Sequence, residues 1–549
     1  MKPGAPGIKI KLPGFWKKRV SGLFVPRAAT AWAAALLMLV DGMAIFLNGA
    51  YFIGPMTFCV VGSWLIFAML IIAGRHDEIW LTRRAITMVA VLALFWAWVG
   101  VSLSWSIASD LTWVEFNRTG GFFAAFVIGV AVGRQKIPRL IGAWTFFFMA
   151  SAASLYSLAP KVLPSVVDNL ENLSRTSIPL GYANALGLLI AMAVPLALYF
   201  SATVTLHPFL RLFAAMMAPL LLVSLFFTIS RGAILALIIG LIVYFSVSPV
   251  RLRSFGMLVL ALIPAALIAW WSSGQDALME NQVDRGERMI AAVDLRIFLV
   301  TAVLSVAAIY LVTLAVGGKV IFPRKVSRFV GLAILISLTI TILVSSLNFI
   351  SSKPSFSQWV NDEYEAFTAL KLVGPTDATR LLDINSSVRW QLWREAIANW
   401  NENRLTGTGG QSFPVVHMLK QENGMPFVKQ PHGLPFQLLT ELGVIGFTLL
   451  ALFIIFTLSI SLWILYRIKE QWEPGLAAAL FSLIIIYLVH TSFDWDWNMF
   501  ALTLPYFFFT GILVGWPASS RSEVGPEEDV ISGSMSPAAA ELESHGLRR

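Results

Sequence analysis

This 549-residue sequence has one cysteine and very little charge. A lone thiol, Cys59, can form neither an internal disulfide nor a thiolate metal site, which excludes a disulfide-rich secreted scaffold. It lies in an apolar run and reads as a small buried hydrophobe. Charged residues make up 13% of the chain, about half of the roughly 25% of ordinary soluble proteins. That shortage excludes a soluble multidomain enzyme, and a chain that is 57% hydrophobic is not disordered. Internal repeats of the kind that mark many secondary transporters are also missing.

What is present is a succession of apolar runs of about 20 residues, the length a helix needs to cross a bilayer. The pattern predicts an all-α polytopic membrane bundle of about 14 (12–14) transmembrane helices. The expected spans are 28–48, 53–74, 85–105, 117–133, 139–158, 182–201, 208–228, 232–249, 255–273, 291–315, 328–349, 434–466, 475–493 and 497–516. The run 434–466 is too long for a simple crossing, so a tilt or an interfacial turn at its start is expected. The net charge of +9 suggests nucleic acid only until it is sorted by loop. With a cytoplasmic N-terminus, well over half of the 40 Lys and Arg residues fall in inside loops, as the positive-inside tendency requires. The chain then divides into a basic cytoplasmic N-terminus (1–27), helices 1–11 (28–349), one large outside loop (350–433), helices 12–14 (434–516) and a disordered cytoplasmic tail (517–549). The N-terminal stretch has no acidic residue and no cleavage site after a short apolar core, so it reads as an anionic-lipid patch and not as a cleaved signal peptide.

Because charge is scarce, the few ionisable residues on the outside stand out. Asn385, Ser386 and Ser387 are N-cap choices for a helix running to about Asn401, on which Trp390, Trp393, Ile397 and Trp400 share one face flanked by Arg389 and Arg394. A turn with Gly407, Gly409 and Gly410 follows; it can present backbone N–H groups to an anion, although an ordinary flexible turn has the same composition. It is not a nucleotide P-loop, because no Lys-Ser/Thr follows. His432 sits at the mouth of the next helix, with Glu441 deeper in it. Ser230 and Arg231 lie between two spans, Arg175 precedes a helix that Asn184 enters, and His490, Asp494, Trp495, Asp496 and Trp497 crowd the last outside loop. Arginine forks match phosphate oxygens, so the natural ligand is a lipid diphosphate, with His432 as a base toward an incoming hydroxyl. The Asp494/Asp496 pair also has the look of a metal-binding carboxylate pair; interfacial tryptophan anchoring is the simpler reading. Asp41, inside the first span, has no assigned role.

These residues resemble the O-antigen ligase and polysaccharide polymerase superfamily of bacterial inner membranes. The resemblance is carried by Ser230-Arg231-Gly232, by Arg389-x-x-x-Trp393 with Gly407-x-Gly409, and by His432…Glu441-x-Gly443-x-x-Gly446, in that order around one large loop. It spans roughly residues 85–515. It implies a metal- and cofactor-independent, inverting glycosyltransferase that moves a glycan from undecaprenyl diphosphate to an acceptor hydroxyl at the periplasmic face. Arg231 and Arg389 would hold the diphosphate and His432 would orient or deprotonate the acceptor. Arg175, Asn184, Ser230, Arg394, Gly407, Gly409, Glu441, Asp494 and Asp496 would bind diphosphate or glycan. Gly433 departs from the pattern, since the family often has Asn or Ser after the histidine, and 14 spans exceed the usual 12 or so.

The reading is an O-antigen ligase acting on lipid A–core. An O-antigen or exopolysaccharide polymerase of the same superfamily uses the same donor and is the first alternative. A polysaccharide or lipid transporter is the alternative from another class, disfavoured because charge gathers at the outer rim and not at the bilayer midplane.

Overall fold

The structure is a computed structural model and describes residues 27–73, 82–167, 174–281, 283–317, 356–369, 388–421, 425–468 and 473–517, with isolated positions at 329, 340, 343 and 344. The described residues are helical, without strands, and ten helices are long and apolar enough to cross a membrane. The chain is a multi-pass membrane protein. We number the helices α1 (Arg27–Phe46), α2 (Ile53–Ala73), α3 (Arg83–Val101), α4 (Ser109–Val132), α5 (Lys136–Val162), α6 (Ala183–Ala202), α7 (Pro208–Thr228), α8 (Arg231–Val247), α9 (Arg251–Ser273) and α10 (Arg285–Gly317). After these come α11 (Phe356–Thr368), α12 (Arg389–Glu402), α13 (Phe413–Lys420), α14 (Leu434–Arg467), α15 (Glu473–Thr491) and α16 (Phe500–Gly515). The two shorter apolar helices are α8 and α16.

Each expected span falls on one of these helices except 328–349, which apart from those isolated positions lies outside the described residues, as do the N-terminal stretch before Arg27, Asn385–Ser387 and the tail beyond Pro517. Two differences are instructive. Helix α4 starts at Ser109, well before the expected 117. Its first turns carry Thr112, Glu115 and Arg118, which are buried, so a reading by hydropathy cuts them off. They are tolerated because they are paired: Arg118 bonds Glu115, and the Trp497 indole donates to Glu115 at 2.7 Å. The long run 434–466 is absorbed by a break at Gly443, whose φ of 64° interrupts α14. The turn after α12 packs into that break, with Gly409 N–H donating to Glu441 O at 2.8 Å and Val444 N–H to Arg404 O at 2.9 Å. A Cβ on Gly443 would strike the Leu405 carbonyl.

Helices α6 and α16 are buried along almost their whole length, while α2, α3, α9 and α10 turn Leu65, Ile72, Leu94, Leu267, Trp270 and Leu304 outward. Such a surface fits a lipid environment. In lipid the hydrophobic effect does not press helices together, so close van der Waals approach must. Helices α4 and α16 achieve it with paired small-residue spacings, Gly129 and Gly133 against Gly511 and Gly515. One end of the bundle is clamped by arginines: Arg139 meets Glu473 at 2.7 Å and lies 3.8 Å over the Trp516 ring, and Arg84 donates to the Val514 carbonyl at 3.2 Å. The opposite end gathers the starts of α2, α6, α8, α14 and α16 with the ends of α7 and α15.

A Cβ on Gly511 would collide with the Phe126 carbonyl, whereas one on Gly256 meets nothing within 4 Å. Gly511→Ala should therefore cost about 1–3 kcal/mol and lower the melting temperature in detergent, while Gly256→Ala should leave it unchanged or slightly raised. Equal responses would contradict the backbone-contact account.

Candidate active site at the converging helix ends

Asp494 lies in the short connection between α15 and α16 and is 1% exposed. A carboxylate so placed must have its oxygens filled, and the fold supplies donors from four stretches of chain. Arg389, the first residue of α12, donates Nη2 to Oδ2 at 2.9 Å. Asn184, in the first turn of α6, donates to Oδ2 at 2.8 Å, and the Tyr182 hydroxyl sits 3.1 and 3.2 Å from the two oxygens. The Trp495 backbone N–H donates to Oδ1 at 2.9 Å, and His432 places Nδ1 3.2 Å from Oδ1. Arg175 extends the network, with Nη2 on Asn184 Oδ1 at 2.7 Å and Nε on the Thr228 carbonyl at 2.9 Å.

The electrostatics follow from these contacts. Burial acts to raise the Asp494 pKa, but the Arg389 guanidinium and the His432 hydrogen bond outweigh it and hold the carboxyl well below the usual carboxylate range. In return Asp494 overcomes the burial of Arg389 and raises the guanidinium pKa. An ionised carboxylate only accepts, so His432 Nδ1 must carry a proton, and in the neutral imidazole Nε2 is then the acceptor. His432 has a left-handed backbone, φ 52°, a conformation that costs a non-glycine residue of order 1–3 kcal/mol. It is held there by the Trp393 indole, which donates to the His432 carbonyl at 3.1 Å while its ring stacks on Phe436 at 4.7 Å. Gly433 is explained by the same crowding: a Cβ would lie 3.0 Å from the Ser492 carbonyl and 3.2 Å from Trp393 Nε1.

The other anticipated residues fall into four groups. Ser230 caps α8 through the Ala233 N–H at 3.3 Å, which puts Arg231 in the first turn of that helix, half-buried at the same bundle end. Asp496 turns away from Asp494 to His490, Oδ2 to Nδ1 at 2.6 Å, and burial raises its pKa against the pull of that histidine. His490 lies under Gly232, where a Cβ would come within 3.2 Å of Nε2. Gly407, Gly409 and Glu441 form a separate cluster. There the acceptor met by the turn is a side chain of the protein itself: the Gln411 N–H donates to Glu441 Oε2 at 2.8 Å and the Phe413 N–H to Oε1 at 3.4 Å. Arg394 is exposed on α12. The buried face of that helix is not its tryptophan face but Leu392 and Ala396 with Gln391, Glu395 and Asn399. Two of its polar members bond to neighbouring helices, Glu395 to His417 of α13 at 2.6 Å and Asn399 to Thr440 of α14 at 2.9 Å.

Sequence reasoning missed Tyr182, and it missed the buried chain Glu115–Arg118–Asn498–Gln437–Glu441, joined by bonds of 3.1 Å (Arg118–Asn498) and 3.2 Å (Asn498–Gln437, Gln437–Glu441). The available signal was polar residues in apolar helices. Among the described residues no group of three or more His, Cys, Asp and Glu side chains is arranged to hold a metal ion.

The arrangement can hold an anion at arginines and present an acceptor nitrogen beside it. Comparison with curated proteins gives no match. Residues 297–451 match the family described as O-antigen ligase, a stretch that contains Arg389, His432 and Glu441 and ends before Asp494. The chain is a helical membrane protein carrying an O-antigen ligase family domain over residues 297–451.

Proposed function

We propose that the protein is an O-antigen ligase: it transfers a glycan from undecaprenyl diphosphate to a hydroxyl of lipid A–core at the periplasmic face of the bacterial inner membrane. The observation that carries this reading is the sharing of one buried carboxylate by Arg389 and His432. Asp494 fixes the His432 tautomer, so Nε2 takes the proton of the acceptor hydroxyl. The acceptor oxygen bonds the anomeric carbon as its bond to the diphosphate breaks, with inversion by direct displacement. The leaving diphosphate gains negative charge, which Arg389, Arg231 and Arg175 offset without a metal in this proposal. The match to the O-antigen ligase family supports a lipid-linked glycan substrate. The arginine clamp at the other bundle end supports a cytoplasmic placement for that end and a periplasmic one for the site.

His432→Ala should reduce transfer by about 10²–10⁴-fold, the usual contribution of a positioned base, with little change in expression. Arg389→Lys keeps a cation beside Asp494 but loses the fork, and a loss of about 10²-fold or more is expected. The readout is a gel of lipopolysaccharide and lipid-linked glycans from a deletion strain carrying each variant. Core without O-chain, with long glycan left on undecaprenyl diphosphate, supports ligation; core bearing a single unit indicates a polymerase instead. Full activity of both variants would sink the site assignment.

Asp494 also sets a pH expectation. Its native pKa is depressed, so its contribution to stability is complete above the unfolded value of about 3.9 and is lost as pH falls through the native value. The melting-temperature gap between the wild type and Asp494→Asn should narrow as pH falls below about 4, where Asp494 takes up its proton. A gap that persists unchanged in strong acid would place the titrating group elsewhere.

A further inference from the structure

The Trp495 ring stands beside the reactive cluster. Its ring centroid is 5.1 Å from that of Tyr51 and 4.9 Å from that of Tyr182, and the His432 imidazole meets it nearly edge-on, at 6.3 Å and 80°. All three aromatic residues are half-buried. Polar groups rim them: Gln430 Nε2 donates to the Tyr51 hydroxyl at 2.9 Å, Asn184 Nδ2 donates to the Tyr182 hydroxyl at 2.8 Å, and Asp494 lies beneath. The Trp495 indole N–H makes no hydrogen bond to the described residues.

Membrane proteins place Trp and Tyr in belts around their perimeter, at the headgroups. These three do not form such a belt. They come from the segments that precede α2, α6 and α16, and they meet at the point where the helix ends converge on a buried carboxylate. Contiguous aromatic surface with a few placed polar groups is the composition of a ligand wall. A pyranose ring fits that chemistry, because its C–H face is apolar and its hydroxyl edge is polar. The location narrows it further. In a displacement at the anomeric carbon, the reacting sugar must lie between the diphosphate at Arg389 and the hydroxyl at His432, and the Trp495 ring borders that space on the His432 side.

We propose that Tyr51, Trp495 and Tyr182 form a carbohydrate-stacking wall for the donor pyranose attached directly to the diphosphate. This rests on the glycan-transfer reading given above.

The test is binding to purified protein in nanodiscs of two probes, undecaprenyl diphosphate carrying one N-acetylglucosamine and undecaprenyl diphosphate without sugar. Trp495→Ala should weaken the sugar-bearing probe about tenfold, the effect of truncating an aromatic anchor, and leave the bare diphosphate lipid unchanged. Trp495→Phe, which preserves a ring and the local packing, should retain most of the affinity. Equal losses for both probes, or no loss for either, would overturn the wall. Weakened binding of a core-oligosaccharide acceptor with donor affinity intact would overturn the donor assignment. Arg389→Lys measured alongside separates the two levels: if it does not weaken the bare diphosphate lipid, the glycan-transfer reading itself fails, whatever Trp495 does.

Discussion

A carboxylate withdrawn from water stays ionised only where donors surround it, and at Asp494 this requirement organises one end of the molecule. Arg389, His432, Asn184, Tyr182 and the Trp495 N–H all point at the same two oxygens. The donors belong to α6, to α12 and to the segments before α6, α14 and α16. None of those stretches can shift without leaving the charge underbonded, and breaking such a pair on one side costs about 3–5 kcal/mol. The same contacts fix the imidazole and the guanidinium relative to each other, which is the condition for a base and an anion holder to act on one substrate.

The rest of the bundle keeps that convergence in place. The glycine-lined contact between α4 and α16 brings two backbones together, and α16 begins where the Asp494 connection ends. From α4 a buried polar chain runs through Glu115, Arg118, Asn498 and Gln437 to Glu441, where the glycine turn grips the break in α14. Buried polar networks of this kind rigidify a core where their members are paired. Here the partners come from α4, from the connection before α16 and from α14, so the network ties the helix that carries His432 at its mouth to the connection that carries Asp494.

Much of the site was legible as scarcity. In a chain with so few charges, Arg175, Arg231, Arg389 and His432 stood out against apolar surroundings, and three of the four meet in one network while Arg231 lies at the same bundle end. Asp494 was harder to weigh, because a carboxylate between tryptophans looks like interfacial anchoring until its partners are known. Gly407 and Gly409 read as an anion cradle; the fold turns the neighbouring amides onto Glu441. Glu115 and Arg118 escaped notice because their neutralisation is mutual and local, and Tyr182 because a tyrosine before an apolar helix has many uses.

By itself the sequence determined that the chain lives in a membrane and where most of its described long helices run. Span length and the satisfaction of backbone polar groups are properties of consecutive residues, so they survive without tertiary information. It also determined which residues were too costly to be incidental. Only the tertiary structure decided how they pair. Residues 389, 432 and 494 are far apart in sequence, and the two-residue step from Asp494 to Asp496 sends one carboxylate to Arg389 and the other to His490. Spacing along the chain carries no record of such choices; close helix packing in lipid and the need to saturate each buried charge do.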